Sequence, residues 1–154
     1  MAAYTDLLDQ EIKNALDRKD EYQLQSILHR ISKCPKDLFL WVLQGNMKLS
    51  KETMDLLERR GADVNIVDNI GWPALMHACN SSSLECTEWL TDHGTDVNAR
   101  NTDDETALMW ACNTGSLECT QWLTEHGADV NARNRDGETA LMWACKTGSL
   151  ECTQ

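Results

Sequence analysis

Gly61-Ala62-Asp63-Val64-Asn65 returns as Gly94-Thr95-Asp96-Val97-Asn98 and again as Gly127-Ala128-Asp129-Val130-Asn131, each copy 33 residues after the one before. The same step carries Leu75-Met76-His77-Ala78-Cys79 onto Leu108-Met109-Trp110-Ala111-Cys112 and then onto Leu141-Met142-Trp143-Ala144-Cys145. From Asn134 to Gln154 the last unit differs from its predecessor only at Arg135, Gly137 and Lys146. A fixed period of this length is the mark of a stacked array, in which each unit hides its apolar face against its neighbours.

Within a unit, the stretch from Thr106 to Asn113 is rich in helix formers, and the Thr106 hydroxyl is placed to accept a first-turn N–H. After Thr114-Gly115 a second apolar pattern begins, with Leu117, Cys119, Trp122 and Leu123, and Gly127 supplies a left-handed stop. Each unit therefore reads as helix, turn, helix, extended loop. Helices shorter than about 12–15 residues are marginal alone in water, so stacking has to hold them.

A 33-residue unit with Glu138-Thr139-Ala140-Leu141, then Ala144-Cys145, Gly148 and a closing Gly-Ala-Asp-Val-Asn resembles the ankyrin repeat. The resemblance runs strongly from Gly61 to Gln154 and implies an all-α solenoid of helix-turn-helix units with projecting loops. Ala74, Ala107 and Ala140 stand where the family usually has Pro, and Met76, Met109 and Met142 where it usually has His. That His ties neighbouring units by hydrogen bonds, so this bracing is not expected here. Pro73 also replaces the Thr that caps the later first helices.

Upstream, Leu38-Phe39-Leu40-Trp41-Val42-Leu43 and then Ser50 to Leu57 look like a degenerate unit. Leu8, Ile12, Ala15 and Leu16 form one helical stripe, and Leu24, Ile27, Leu28 and Ile31 another, a pair that resembles a capping unit. The expected division is a capping unit over 1–33, a degenerate repeat over 34–67, repeats over 68–100 and 101–133, and a partial repeat over 134–154. Gln154 falls inside the second helix of the last unit. The expectation is a fragment of a longer array, the alternative being an end covered by a partner or a second copy.

Over 154 residues, 42% apolar and 25% charged side chains describe a folded soluble protein. A formal charge of −11 works against nucleic acid or anionic membrane as the partner and favours a basic or neutral protein surface. The first residues have no signal-peptide pattern, and no segment approaches the roughly 20 apolar residues of a membrane span. The expected location is intracellular and cytoplasmic, with the nucleus left open.

Seven cysteines, an odd number, rule out a fully paired disulfide set within one chain. Cys79, Cys112 and Cys145 share one repeat position and Cys86, Cys119 and Cys152 another, seven or 26 residues apart, where zinc sites usually have short Cys-x(2-4)-Cys spacing. They read as small buried hydrophobes, and no metal or other cofactor is expected. Trp89 and Trp122 share a position, as do Trp110 and Trp143 with His77, and packing between units is favoured over a binding strip. No Gly-rich phosphate loop, Gly-x-Ser-x-Gly or His-Glu-x-x-His occurs, so no catalytic group is expected.

In the family this chain resembles, partners are held by the loop tips and the exposed face of the first helices. Carried over, the loop positions are Val67, Asn69, Ile70 and Trp72, then Arg100, Thr102, Asp103 and Glu105, then Arg133, Arg135, Asp136 and Glu138. Asn80, Ser81, Asn113, Thr114, Lys146 and Thr147 join them just after the first helices. Asn65, Asn98 and Asn131 each follow a Leu by eight residues, similar to the pattern an oxygen-dependent asparaginyl hydroxylase recognises in ankyrin repeats. A loop-holding role for their amides is the favoured reading. The implied function is that of a scaffold or adaptor that binds a protein partner. Two alternatives are the targeting region of a larger enzyme or effector, and a cysteine-based metal or redox switch.

Overall fold

The computed structural model describes residues 2–45 and 47–149. Among them are nine α-helices, and the only β pairing is the isolated bridges Val67–Pro73 and Arg100–Thr106. The chain divides into two compact units, Met1–Asp63 and Val64–Gln154.

The first unit contains α1 (Ala2–Asp17), α2 (Glu21–Arg30), α3 (Leu38–Gln44) and α4 (Lys51–Arg59). Asp20 starts α2 by accepting the Gln23 N–H on its carboxylate at 2.9 Å. The two expected stripes meet in its core: Ile12, Ala15, Leu24, Ile27 and Leu28 are buried with Phe39, Val42, Met54 and Leu57. Leu8 and Leu16 are half-buried. Glu21 ties α2 to the start of α4, where it accepts the Ser50 N–H at 2.7 Å, the Ser50 hydroxyl at 2.6 Å and the Thr53 hydroxyl. Partial burial pushes its carboxyl up, but these donors outweigh that and hold it below the usual carboxylate value.

In the second unit α5 (Ala74–Asn80), α7 (Ala107–Thr114) and α9 (Ala140–Thr147) stack as one row, and α6 (Leu84–Asp92) and α8 (Leu117–Glu125) pair as a second. Local chemistry repeats with the sequence. Thr106 and Thr139 accept the Met109 and Met142 N–H at 3.4 Å, and Ser83 and Ser116 do the same for Cys86 and Cys119. Pro73 offers α5 no side-chain cap. Helices α7 and α9 end on left-handed Gly115 and Gly148, whereas Ser82 holds the matching position at φ +53°.

Leu108 and Met109 are 2% and 0% exposed, so each contributes about 1.5–3 kcal/mol through removal from water. Met76 is buried as well, filling with a thioether the place where the family has His. Other groups brace the units. Thr114 donates from its hydroxyl to the Cys79 carbonyl at 3.4 Å, and Thr147 to that of Cys112 at 3.5 Å. The Trp122 indole donates to the Thr91 hydroxyl at 2.8 Å. Trp89 is fully packed, 2% exposed, and stacks on His93 as Trp122 does on His126.

None of the described cysteines forms a disulfide; Cys34, Cys79, Cys86, Cys112 and Cys119 are buried and Cys145 is exposed. Burial pushes the Cys79 thiol far above its ordinary value, which keeps it protonated. No described helix is long and apolar enough to cross a membrane. Cys152 and the expected second helix of the last unit lie outside the described residues.

Candidate functional site

Three loops in the second unit are built on one device. Asp68, Asn101 and Asn134 occupy equivalent positions, and each side chain accepts the N–H groups two and four residues ahead. Asp68 takes Ile70 and Trp72 at 3.0 and 2.8 Å, Asn101 takes Asp103 and Glu105 at 3.0 and 2.9 Å, and Asn134 takes Asp136 and Glu138 at 3.1 and 2.8 Å. A short polar side chain thus replaces the backbone acceptors that a tight turn lacks. The turn positions Gly71, Asp104 and Gly137 all have positive φ. Burial pushes the Asp68 carboxyl up, but the N–H groups of Trp72 and Ile70, together with His77 at 3.0 Å, hold it below the usual value.

Each loop returns the chain so that the residue five before a first-helix aromatic lies beside it. In the later units that residue is a carboxylate. The Trp110 indole N–H donates to Glu105 Oε2 at 3.1 Å and that of Trp143 to Glu138 Oε2 at 2.8 Å. In the earlier unit Trp72 occupies the carboxylate's position and packs on His77, with ring centres 5.2 Å apart. The indoles join across units: Trp72 and Trp110 are 4.5 Å apart, and Trp110 and Trp143 5.2 Å in an edge-on contact. All three are half-buried, so one side of the unit carries a continuous aromatic strip bordered by acids.

Of the residues expected to meet a partner, Val67 and Ile70 are exposed apolar side chains, 55% and 57%. Asn69, Asn80, Asp103, Asn113, Arg135 and Asp136 are also exposed. Trp72, Glu105 and Glu138 line the strip, half-buried, and Ser81 turns back to the His77 and Ala78 carbonyls. Others support the array itself. Thr102 donates to the Ile70 carbonyl at 3.1 Å, and Arg100 to those of Asp104 and Arg133. Arg133 donates to the Gly137 carbonyl, and Thr114 and Thr147 bridge units as described. Lys146 pairs with Glu138, and together with the Trp143 indole it holds that carboxyl below its usual value.

The expected set omits Trp110, Trp143, His77 and Asp104, which the fold brings to the same side. The signal was present, since Trp72 aligns with Glu105 and Glu138 rather than with the other indoles, a complementary placement five residues apart. The Asn98 amide bridges units, donating to the Gly127 carbonyl at 3.0 Å and accepting the Asp129 N–H at 2.8 Å. Asn65 and Asn131 are exposed loop residues. Among the described residues no three His, Cys, Asp or Glu side chains are grouped to hold a metal ion.

The family model described as ankyrin repeats (3 copies) matches residues 38–134 and 95–154. The chain belongs to the ankyrin-repeat family. No curated protein sequence matches it. Ankyrin repeats serve generally as protein-interaction modules, and in this one the loops and first helices form the side on which the indoles are gathered.

Proposed function

We propose that this ankyrin array is a scaffold or adaptor that grips a protein partner with its loop tips and first-helix face, by shape and charge complementarity and without chemistry of its own. The surface runs from Val67, Asn69, Ile70 and Trp72 through Arg100, Thr102, Asp103 and Glu105 to Arg133, Arg135, Asp136 and Glu138. Asn80, Ser81, Asn113, Thr114, Lys146 and Thr147 form its second edge. The observation that carries the reading is the half-exposed Trp72–Trp110–Trp143 strip beside three loops of identical construction. Aromatic side chains that keep part of their surface in water on a rigid frame are the usual anchors of an interface.

The partner surface is basic or neutral, and the setting is the cytoplasm. Residues 1–33 act as the cap and 34–67 as a degenerate repeat, while Asn65, Asn98 and Asn131 hold loops. The test is affinity capture with the whole chain as bait, set against a variant carrying Trp72→Ser, Asp103→Ser and Arg135→Ser. A specific protein retained by the wild type and lost by the variant supports the reading. Undiminished capture by the variant overturns it.

A further inference from the structure

Charge is unevenly divided along the chain. Up to Asp63 eleven acidic residues face ten basic ones, whereas from Val64 onward fourteen face four. Those four cations are already engaged by their own chain. Arg100 and Arg133 donate to backbone carbonyls, Arg135 lies 3.9 Å from both Asp103 and Asp104, and Lys146 pairs with Glu138. Lys and Arg are therefore outnumbered by acids in this part of the chain, and the four present are held by its own groups.

The two late repeats differ in a way that shows where an outside cation would sit. Around Trp143, Glu138 accepts the indole N–H on one oxygen and the Lys146 ammonium on the other. Around Trp110, Glu105 is oriented alike: its Oε2 accepts the indole N–H and, at 2.7 Å, the Asn101 amide. The residue equivalent to Lys146 is Asn113, which is exposed and neutral. Glu105 Oε1 therefore accepts no hydrogen bond from any described residue. Trp110 is also flanked by Trp72, an indole with no counterpart in the next repeat, where Glu105 aligns. The Trp110 indole N–H holds Glu105 Oε2 in place and leaves Oε1 as the acceptor that a cation would meet.

Deepening the proposed interaction role, on which this rests, we infer that Glu105, Trp110 and Trp72 form a subsite for a Lys or Arg side chain of an extended, basic polypeptide segment. That side chain supplies to the middle repeat the cation that Lys146 supplies to the last one. A second copy of this chain is a poor occupant, because it brings a further charge of −11.

The experiment uses the full chain and a fluorescein-labelled dodecapeptide of alternating Arg and Ser, with Gln and Glu versions in place of Arg, read by anisotropy at 0.15 M salt. The Arg peptide is expected to bind at least about tenfold more tightly than the Gln peptide. Glu105→Gln, which keeps an acceptor for the Trp110 indole, and Trp110→His, the residue at position 77, each weaken it about tenfold. Asn113→Lys does the same by pairing with Glu105. Lys146→Asn opens a second subsite and tightens binding about threefold. Glu118→Gln on α8 removes the same charge elsewhere and changes binding less than twofold. Circular dichroism checks that each variant is folded. The inference is overturned if the Gln or Glu peptide binds as well as the Arg peptide, if Asn113→Lys is without effect, or if Glu118→Gln weakens binding as much as Glu105→Gln, which would mean a diffuse field only. Those outcomes leave the affinity-capture result untouched, so the two readings fail separately.

Discussion

The turn after each first helix offers a direct exchange between repeats. Ser82, Gly115 and Gly148 occupy one repeat position and close the helix identically. The N–H of each bonds the carbonyl three residues back, at 3.0, 3.2 and 3.3 Å, and the following N–H reaches a carbonyl five back at 3.0 Å in all three. That closure demands positive φ, and Ser82 is held at +53° where the glycines sit at +69° and +73°. A side chain in the left-handed region costs about 1–2 kcal/mol. Glycine forfeits about 0.5–1 kcal/mol in unfolded-state entropy. Ser82→Gly should therefore stabilise by about 0.5–1 kcal/mol, raising the melting temperature by about 2–3 °C. The reverse exchange is worse than its mirror image, because a Cβ on Gly115 would lie 2.8 Å from Ser149 Oγ, which itself lies 3.1 Å from Thr147 Oγ1. Gly115→Ser should destabilise by about 2 kcal/mol. Urea and thermal unfolding followed by circular dichroism measure both. A stability loss in Ser82→Gly, or an unchanged midpoint in Gly115→Ser, would refute the reasoning that one backbone geometry governs this turn in every repeat.

Thr95 stands where neighbouring units have Ala62 and Ala128, and its buried hydroxyl has no hydrogen-bond partner; Thr95→Ala should stabilise by about 1 kcal/mol, measured by urea unfolding, and a loss would contradict it. Asn98→Ala removes two bonds to the next unit and should cost about 1 kcal/mol, seen as a lower urea midpoint and faster hydrogen exchange at the Asp129 N–H. Glu21 is held below its unfolded pKa, so its contribution is complete above about pH 4.5 and is lost as pH falls through the folded value; the stability gap between wild type and Glu21→Gln should shrink on acidification, and a pH-independent gap would count against the Ser50–Thr53 bracket. Alkylation of the native protein mapped by mass spectrometry should modify Cys145 rapidly among the described cysteines, with Cys34, Cys79, Cys86, Cys112 and Cys119 reacting only on unfolding.

Much of the fold is readable in advance because a repeat states its own rule several times. Thr106 and Thr139 cap first helices as their hydroxyls suggest, and the stripe Leu24, Ile27 and Leu28 is buried as its spacing requires. The tryptophans are harder. Trp89 and Trp110 are the same residue type on helices of the same array, yet one is enclosed and the other half-open. Composition and period carry no information about which helix row a side chain faces, and the favoured packing role describes Trp89 better than Trp110. Nor does spacing alone disclose that Asp68, Asn101 and Asn134 fold the loops back so that Glu105 and Glu138 meet indoles five residues on.

Period, helix positions and family were all present in the order of residues, because each unit's apolar pattern and turn chemistry act over fewer than ten neighbours. Only the stacked structure decides which groups meet across a separation near 33 residues. It places Trp72 against Trp110, joins Asn98 to Gly127 and sets the Trp122 indole on the Thr91 hydroxyl. Those contacts depend on how one unit is seated on the next, a geometry set by packing of whole faces and not by any local run of sequence.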